Sequence, residues 1–584
     1  MLKLFRFLRK KEWGLIALSV CFVVLQVWLD LTLPDFMADI TMLVQTDGST
    51  MSEIIRAGIK MVGCAFGSLA ASIVTALCAS KIASEFSANL RSAIFRKVQS
   101  FSMEEIGKFS TASLITRSTN DINHVQMVIV MGLQVMVKAP IMAVWAILKI
   151  SGKQWQWMAA TGAAVAVLLL VVGTCVAMAY PKFKKLQVLT DDLNRVTREN
   201  LTGIRVVRAY NAEKYQEEKF EKANSELTNT HMFTMHTMAF MMPSIQLIMS
   251  GISLAVYWIG AVLINEVQMM DKAVLFSDMM VFSQYAIQVV MAFMMLVIIF
   301  MILPRASVAA QRIWQVISTE LSVTDGEKTE GIAEKRGEVE FRGVSFRYPD
   351  GDDYVLRDIS FTAKRGETVA FIGSTGCGKS TAVNLIPRFY DATEGEILVS
   401  GVNVREYTQQ ALREMIGYVS QKATLFSGTL SSNVAYGKAN DSDLEENVKN
   451  AMHVAQGDDI ISKNDDGINA FVAQGGTNFS GGQKQRISIA RAICKDPDIF
   501  IFDDSFSALD YRTDRELRAE LNRRCAGSTR IIVAQRIGTI KDADRIIVLD
   551  DGKIAGIGTH SELMRDCEVY RQIAYSQLSE KELA

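Results

Sequence analysis

The chain has 584 residues, which is too long for a single hydrophobic core and therefore predicts more than one domain. Hydrophobic residues make up 49% of the sequence and are concentrated before residue 320, which argues against a wholly soluble protein. The formal net charge of −1 gives no reason to expect a nucleic acid partner. Eight widely separated cysteines without a CxxC pair argue against a disulfide framework or a zinc site.

Six apolar stretches in the first part of the chain are long enough to cross a bilayer, which takes roughly 20 apolar residues per helix. They lie at residues 13–33, 55–79, 125–150, 158–180, 232–264 and 274–303. We therefore predict an α-helical transmembrane domain with six spans. Several stretches are longer than a bilayer is thick, so we expect these helices to continue into the cytosol.

The basic residues between the spans predict how the domain is oriented. Lysines and arginines are frequent before span one, between spans two and three, and between spans four and five. The positive-inside rule therefore places both termini and two long loops in the cytosol. Both long loops are predicted to be helical, with short elements near residues 110–117 and 209–215 that could dock onto a soluble domain.

Two features of the predicted spans each leave two interpretations open. Lys138 lies in an otherwise apolar run, either as a functional intramembrane charge or as a snorkelling residue near the inner interface. Methionines are frequent in spans five and six and would suit a cavity for apolar ligands, or else simply pack against lipid and neighbouring helices. They are Met232, Met235, Met238, Met241, Met242, Met279, Met280, Met291, Met294, Met295 and Met301.

A charged linker is followed by segments that read as an α/β P-loop nucleotide-binding domain. The predicted divisions are residues 1–320 for the transmembrane domain, 321–337 for the linker and 338–584 for the nucleotide-binding domain. An apolar run at residues 368–372 leads into a phosphate-binding loop. The loop consists of Gly373, Ser374, Thr375, Gly376, Cys377, Gly378, Lys379, Ser380 and Thr381.

Each part of this loop has a chemical task in binding ATP and Mg²⁺. The glycines allow backbone N–H groups to surround the phosphates, Lys379 reaches the outer phosphate oxygens, and the Ser380 hydroxyl binds the metal. A second apolar strand ends at Asp503, which is expected to hold Mg²⁺ through water.

A second anion site is predicted between these two motifs. Ser480, Gly481, Gly482 and Gln483 open a predicted helix, whose first N–H groups and dipole attract negative charge. One nucleotide in one chain has no use for two phosphate clamps. We therefore expect this second clamp to cover ATP bound to another subunit.

Together these motifs resemble the ATP-binding-cassette transporter family, and the resemblance covers essentially the whole chain. It implies that Tyr348 stacks on adenine, that Gln421 is the glutamine-loop residue beside the metal, and that Asp510 closes a loop facing the partner. The six spans before the cassette resemble an exporter-type half-transporter.

The sequence departs from the family pattern at the catalytic positions. Asp504 stands where the family usually has a glutamate, and Gln535 stands where it usually has a histidine. Aspartate is one methylene shorter than glutamate, and glutamine does not take up a proton as imidazole does. Gln474, shortly before the signature, also replaces an expected acidic residue.

This pattern resembles the degenerate-site subunit of a bacterial heterodimeric multidrug exporter. The resemblance implies ATP and Mg²⁺ as cofactors, a second half-transporter subunit as partner, and a small amphipathic or hydrophobic substrate reached through membrane lipids. The expected location is the bacterial inner membrane, with the nucleotide domain in the cytosol. The alternatives are a lipid or peptide exporter, an exporter-fold siderophore importer, a homodimer with two slow sites, and a non-transporting ATP-gated regulator.

Overall fold

A computed structural model of the chain describes residues 2–46, 49–266, 272–436 and 443–577. The chain forms two compact units. The first contains the residues up to Gln99 together with Ala112–Thr319, and the second contains Ser100–Thr111 together with the chain from Glu320 onwards. The short segment Ser100–Thr111, which lies between two membrane helices in the sequence, thus folds with the second unit.

The first unit is helical. Its helices are α1 (Lys10–Gln45), α2 (Met51–Gln99), α4 (Thr111–Ser118), α5 (Asn120–Met131), α6 (Lys138–Ile150), α7 (Trp155–Thr202), α8 (Ile204–Ala209), α9 (Glu213–Glu266) and α10 (Lys272–Ser318), while α3 (Met103–Phe109) belongs to the second unit. Among the described residues, six helical segments are long and apolar enough to cross a membrane, which confirms the predicted number of spans. At 1.5 Å per residue, the 54-residue α9 is about 80 Å long and extends well beyond a bilayer core.

The short elements of the two long loops differ in detail from the predicted ones. The first loop breaks at Ser110, which has a positive φ of 54°, and the short helix that folds with the second unit is α3. The element predicted near residues 110–117 therefore lies one short helix too late in the chain. In the second loop, α8 ends at Ala209 and α9 begins at Glu213, so the predicted element at residues 209–215 consists of a turn at residues 210–212 and the adjoining ends of two helices.

Proline in α1 leaves a backbone carbonyl that α10 satisfies. Pro34 has no N–H, so the carbonyl oxygen of Asp30, one helical turn earlier, has no intrahelical donor. The Gln288 side chain donates to this oxygen at 3.4 Å. The Tyr285 hydroxyl lies 2.9 Å from the Leu31 carbonyl oxygen and 2.5 Å from Asp35 Oδ1. Two side chains of α10 therefore bind α1 where Pro34 interrupts its backbone hydrogen bonds.

The same region contains the partner of Lys138. Lys138 Nζ lies 3.0 Å from Asp30 Oδ2, and Ser68 of α2 donates to the other oxygen of that carboxylate. Lys138 begins α6 and lies twelve residues before its end, within the third span. Its ammonium group is thus paired with a carboxylate of another helix inside the bundle, as an intramembrane charge requires.

Two further ion pairs join helices of the first unit. Lys149 of α6 pairs with Asp35 of α1 at 2.5 Å, and Lys153, just after α6, pairs with Asp278 of α10 at 2.5 Å. Their side chains are more exposed than those of Lys138 and Asp30. These three pairs compensate charges in or next to the spans, as a low-dielectric environment favours.

The second unit is an α/β domain preceded by α3. Its strands are β1 (Val339–Phe346), β2 (Leu356–Ala363), β3 (Thr368–Gly373), β4 (Glu394–Val399), β5 (Val402–Asn403), β6 (Ile416–Val419), β7 (Gly428–Thr429), β8 (Phe471–Val472), β9 (Ile499–Asp503), β10 (Thr529–Val533), β11 (Arg545–Asp550) and β12 (Lys553–Gly558). A six-stranded sheet has the order β12-β11-β3-β10-β9-β6, and a four-stranded antiparallel sheet has the order β2-β1-β4-β5. The strands β7 and β8 form a separate pair.

Ten helices complete this unit. They are α11 (Lys379–Leu385), α12 (Gln409–Glu414), α13 (Leu430–Val434), α14 (Leu444–Val454), α15 (Asp458–Ser462), α16 (Gly481–Cys494), α17 (Tyr511–Arg524), α18 (Ile537–Ile540), α19 (His560–Asp566) and α20 (Glu568–Gln577), counted among the described residues. Two apolar cores lie on either side of the larger sheet, and every residue of β9 is buried. A strand buried on both faces is typical of a parallel sheet.

We predict that removing the charge of Lys138 destabilises the first unit more than removing that of Lys149. Lys138→Met leaves the Asp30 carboxylate without its counter-ion, whereas Lys149 is about twice as exposed, at 34% against 17%. The expected cost is about 1–3 kcal/mol, which is below the range for fully buried pairs because water reaches both partners.

The measurement is the unfolding temperature of the purified protein in detergent. The double variant Asp30→Asn with Lys138→Met should recover most of the loss, because no unpaired charge remains. Equal destabilisation by Lys138→Met and Lys149→Met would show that the less exposed pair contributes no more to stability than the more exposed one.

Candidate nucleotide-binding site

The candidate site lies where four parallel strands end. Strands β3, β10, β9 and β6 are neighbours and run in the same direction, so their carboxyl ends share one edge of the sheet. Crevices outside this edge are the usual ligand sites of open α/β sheets. The residues that follow these strands include Ser374, Gln535, Asp504 and Gln421, so the topology collects the residues that the sequence predicted separately.

The loop after β3 requires glycine for steric reasons. Gly378 has a φ of +98°, and a Cβ at this position would lie 2.7 Å from Leu356 Cδ2. A Cβ at Gly373 would collide with the Leu549 carbonyl oxygen. The exposed residues Ser374, Thr375 and Gly376 form the rim of the loop, while Cys377 is buried beneath it. The backbone can therefore bend closely enough for its N–H groups to surround an anion.

Lys379 is held at the mouth of this loop. Its Nζ donates to the carbonyl oxygens of Gly373 at 2.8 Å and Ser374 at 2.7 Å, and it lies 3.6 Å from Cys377 Sγ. The side chain is only 8% exposed, so its positive charge is concentrated inside the loop. An anionic phosphate would find this ammonium group already positioned.

Ser380 and Asp503 form the candidate metal position. The Ser380 hydroxyl donates to Asp503 Oδ1 at 2.7 Å, so a hydroxyl and a carboxylate stand side by side where β9 meets α11. Burial raises the pKa of the Asp503 carboxyl above its ordinary value, and the neighbouring charge of Asp504 adds to the effect, although the Ser380 hydrogen bond opposes it. A divalent cation would relieve this cost.

Asp504 is held by two amide groups. Its Oδ2 accepts hydrogen bonds from Gln421 Nε2 at 3.2 Å and from Gln535 Nε2 at 2.9 Å. Its backbone has a φ of +48°, a left-handed conformation that aspartate tolerates better than most residues. The two positions that depart from the family pattern, Asp504 and Gln535, are therefore direct hydrogen-bond partners.

An aromatic cluster contains the predicted adenine-stacking residue. Tyr348 packs edge-on against Phe346 and Tyr390, with ring centroids 5.0 and 5.4 Å apart, and its hydroxyl lies 3.0 Å from Thr381 Oγ1. The ring is therefore held next to the phosphate-binding loop. Sequence reasoning missed Tyr390, although the aromatic pair Phe389 and Tyr390, which begins four residues after α11 ends, was its available signal.

The predicted second clamp opens a different helix. Ser480 is exposed and caps α16, with Gln483 N–H donating to Ser480 Oγ at 3.3 Å and Ser480 N–H donating to Gln483 Oε1 at 2.9 Å. Gly481, also exposed, and Gly482 follow the cap. Both polar side chains thus bond to each other's backbone, and the first turn of this 14-residue helix is open to solvent.

Asp510 has a comparable structural position. It caps α17, because its carboxylate accepts from the Thr513 N–H at 2.9 Å and from the Thr513 hydroxyl at 2.8 Å. These bonds hold the pKa of the Asp510 carboxyl below its ordinary value. The preceding residues Ser507 and Ala508 are exposed, so the cap fixes a short projecting loop.

The residues fit a complex of ATP with Mg²⁺. A buried hydroxyl–carboxylate pair supplies the hard oxygen ligands that Mg²⁺ prefers, and the loop supplies N–H groups and the Lys379 charge for phosphate. Gln421 bonds to Asp504 through its amide nitrogen, so only its carbonyl oxygen could serve as a ligand. When bound, Mg²⁺ would neutralise charge on the phosphates.

Two family models match the chain. The model described as "ABC transporter transmembrane region" matches residues 16–303, and the model described as "ABC transporter" matches residues 356–507. The first range covers the helices of the first unit, apart from the start of α1 and the end of α10. The second range begins at β2 and includes the phosphate-binding loop, the predicted signature and the Asp503–Asp504 pair.

Several curated proteins are similar along most of their length. An uncharacterized ABC transporter ATP-binding protein of Mycobacterium tuberculosis is 39% identical over 539 residues, covering 90% of this chain and 90% of that protein. One of Bacillus subtilis is 35% identical, covering 89% of each. An ATP-dependent lipid A-core flippase of Pseudomonas aeruginosa is 31% identical, covering 84% of this chain and 80% of the relative.

One solved structure has a similar fold. It is the structure of a bacterial Atm1-family ABC exporter with ATP bound, with a TM-score of 0.79 and 24% sequence identity. The similarity covers 97% of this chain and 98% of that one. The fold of this chain is therefore that of an exporter with six transmembrane helices followed by an α/β nucleotide-binding domain.

We predict that Tyr348→Ala weakens ATP binding, whereas Tyr348→Phe retains most of it. Alanine removes the aromatic face, whose contact is worth about 0.5–1.5 kcal/mol, or roughly a 2- to 12-fold change in affinity. Phenylalanine loses only the hydrogen bond to Thr381. Binding of a fluorescent ATP analogue measures both variants, and a larger loss for phenylalanine than for alanine would contradict stacking.

We further predict that Asp503→Asn raises the unfolding temperature of the nucleotide-free protein at neutral pH while weakening Mg²⁺-dependent nucleotide binding. Because the folded-state pKa of Asp503 is raised, its ionised form destabilises the fold. This cost is absent below the unfolded-state pKa of about 4 and grows as pH rises through the folded-state pKa. Thermal unfolding of both proteins between pH 4 and 8 should show the gap opening with pH. A gap that stays constant would contradict the prediction.

Proposed function

This chain belongs to the ABC transporter family, and we propose that it is the degenerate-site subunit of an ATP-driven heterodimeric exporter. In this proposal a second half-transporter supplies the other membrane domain and the other cassette. The main support for this proposal is the hydrogen-bonded group of Asp504, Gln421 and Gln535, which lies where ATP hydrolysis would be catalysed.

The chemistry of this group favours slow hydrolysis. A catalytic base must accept a proton from the attacking water, and a partner histidine can exchange protons near neutral pH. Here both donors to Asp504 Oδ2 are amides, which do not titrate. The carboxylate is also one methylene shorter than glutamate, so its oxygens are displaced from the expected position, which can cost about 100-fold in rate. ATP held at this site would therefore remain bound for longer.

The second clamp supports the other half of the proposal. Ser480 and Gly481 are exposed at the start of α16, where they can cover the phosphates of a nucleotide held by another subunit. The exposed loop fixed by Asp510 would face the same partner. In this proposal the signature of this subunit, Ser480–Gln483, completes the partner's nucleotide site. The phosphate-binding loop of this subunit faces the partner's signature.

The proposed cycle follows from these contacts. ATP at both interfaces draws the cassettes together, and the short elements of the two long loops pass the movement to the membrane helices. Hydrolysis at the site that uses Ser480 resets the pair. At the slow site Lys379 would hold the phosphates, and Ser380 and Asp503 would hold Mg²⁺, which would neutralise charge on the phosphates.

The membrane domain favours an apolar or amphipathic substrate. A small cavity with about 20 Å³ of free space lies where a π-helical stretch, Gly132–Met136, faces α10. Such stretches are frequent at functional sites. The lining is apolar: Val128, Met131, Gly132, Val135, Met136, Ile298, Ile299, Ile302 and Leu303. We propose that this cavity forms part of the path for drug-like compounds, in an exporter of the inner membrane whose cassettes face the cytosol.

A second candidate substrate is a lipid. The lipid A-core flippases of Pseudomonas aeruginosa and Burkholderia orbicola are similar to this chain at 31% and 36% identity. An apolar cavity would also accept acyl chains. Reconstitution into vesicles with either a fluorescent drug-like dye or a fluorescent lipid separates the two candidates, because only the true substrate stimulates ATP hydrolysis and moves across the membrane.

We predict that ATP hydrolysis requires both subunits and the Ser480 of this chain. The chain purified alone should be nearly inactive, and co-purification with its partner half-transporter should restore activity. Ser480→Ala in the pair should lower the rate by about 100-fold, as expected for a lost hydrogen-bond donor to a developing charge. Thr477→Ala, a nearby exposed position outside the helix cap, is the matched control.

Repair of the slow site provides the second half of this experiment. Asp504→Glu together with Gln535→His should add hydrolysis at the second interface and leave the first unaffected. A lone chain that forms a dimer with brisk turnover would show that Asp504 and Gln535 suffice for catalysis. The asymmetric pair would then be excluded.

A further inference from the structure

The helix α3 and its flanks form the only described segment before residue 320 that folds with the nucleotide-binding unit. Ser102 caps this helix, and the rings of Phe101 and Phe109 stack at 5.8 Å, which closes the segment into a compact turn. In the sequence, α3 is separated from α2 by three residues and from α4 by one residue. A displacement of α3 is therefore passed directly to two helices of the membrane domain.

A buried carboxylate fastens this segment to the start of the linker. Glu105 is 3% exposed, and its Oε2 accepts from the Ser102 N–H at 2.7 Å and from the Ser102 hydroxyl at 2.7 Å. Its Oε1 accepts from the Ser322 N–H at 2.8 Å, and the hydroxyl oxygens of Ser102 and Ser322 lie 2.9 Å apart. We call this group of three residues the clasp.

The contact with Ser322 exceeds what helix capping requires. A glutamate three residues after a serine or threonine cap ordinarily accepts a hydrogen bond from the N–H of the cap residue, and the capping box requires no other contact of it. Thr559 and Glu562 at the start of α19 form such a box, and Glu562 is exposed. Glu105 has the same local role, but its second oxygen holds a residue 217 positions away in the sequence.

The clasp retains its charge despite its burial. Desolvation alone would raise the pKa of the Glu105 carboxyl, but the hydrogen bonds from Ser102 and Ser322 outweigh it and hold the pKa below its usual value. A buried ionised carboxylate without these donors would be costly. The charge therefore keeps Ser102 and Ser322 together, and loosening either contact is opposed by the desolvation of the carboxylate.

The position of the clasp in the chain gives it mechanical significance. Ser102 lies three residues after the end of α2, and Ser322 lies four residues after the end of α10. The clasp thus joins the two points at which the chain leaves α2 and α10 and enters the second unit. Movement of the cassette would therefore reach both α2 and α10.

Glu104, which precedes Glu105 in α3, acts on a residue of the candidate adenine site. Burial raises the pKa of the Tyr390 hydroxyl, and the charges of Tyr348 and Glu104 raise it further. Tyr390 packs edge-on against Tyr348 at 5.4 Å. The helix fastened by Glu105 therefore borders the aromatic cluster that is predicted to hold the nucleotide base.

We propose that Glu105 is a positioning residue for coupling: by clasping Ser322 it transmits nucleotide-driven movement of the cassette to the membrane helices. This inference rests on the proposed function, since it presumes ATP-driven transport. It assigns to Glu105 no contact with the nucleotide or the transported compound. Loss of the clasp should therefore separate hydrolysis from transport, and not abolish hydrolysis.

The test uses the full pair of subunits in vesicles and compares three variants of this chain. Glu105→Gln removes the charge, Ser322→Pro removes the N–H that Oε1 accepts while keeping the α3 cap, and Glu562→Gln is the matched capping-box control. The readout is the amount of a fluorescent amphipathic dye moved per ATP hydrolysed. For the first two variants this ratio should fall about fivefold or more, with hydrolysis within about twofold of the unaltered pair. Glu562→Gln should leave the ratio unchanged.

A disulfide supplies a rescue. The 2.9 Å between the two hydroxyl oxygens makes Ser102→Cys and Ser322→Cys suitable for a bridge. Added to Glu105→Ala, the oxidised bridge should restore the ratio, and reduction should remove it again. An unchanged ratio in Glu105→Gln, an equal fall in Glu562→Gln, or a bridge that restores nothing would each overturn the proposal.

A spin-label distance separates failure of this inference from failure of the proposed function. Labels at Ser52→Cys, exposed in the first turn of α2, and at Gly152→Cys, exposed in the turn that follows α6, report movement of the membrane helices when ATP is added in a background without native cysteines. If ATP shifts this distance but no dye moves, the proposed transport of dye is wrong. If Glu105→Gln shifts it as far as the unaltered chain does, the clasp has no role in coupling.

Discussion

The shared direction of neighbouring strands is the constraint on which the nucleotide-binding unit depends. Because β3, β10, β9 and β6 are parallel, each delivers the chain to the same edge of the sheet. Residues separated by more than a hundred positions are thereby brought within hydrogen-bond distance, as Ser380 and Asp503 are. The buried apolar strands do not touch ATP, yet their register determines which side chains meet there. A one-residue slip of β9 would exchange Asp503 for Asp504 at the metal position.

The membrane domain obeys a different constraint, the cost of uncompensated polar groups in an apolar medium. Asp30, Asp35 and Asp278 each have a lysine partner, and the carbonyl freed by a proline has a side-chain donor. These contacts join helices that are distant in the sequence. The two units thus use polar groups for different purposes: in one they pair with each other and hold helices together, and in the other Lys379 and Asp503 stand where a ligand would meet them.

The sequence alone predicted the elements with strong local signals. The six spans and the exporter fold were correct, because long apolar runs and a complete phosphate-binding loop are specific patterns. The roles of Tyr348, Ser480 and Asp504 remain predictions, although their geometry is now defined. The partner of Lys138 could not be predicted, since no local pattern links residues 30 and 138. The position of α3 was also missed, because a buried carboxylate that binds a distant backbone N–H leaves no periodic signal.

The proline in α1 has a consequence for how the sequence can vary. The Asp30 carbonyl needs the Gln288 side chain only because residue 34 has no N–H to offer. In a relative with an ordinary residue at this position, the helix would satisfy that oxygen itself, and an apolar residue would fit at position 288. Conversely, loss of the glutamine alone would leave an open acceptor inside the bundle. Proline at position 34 and glutamine at position 288 are therefore expected to be gained and lost together.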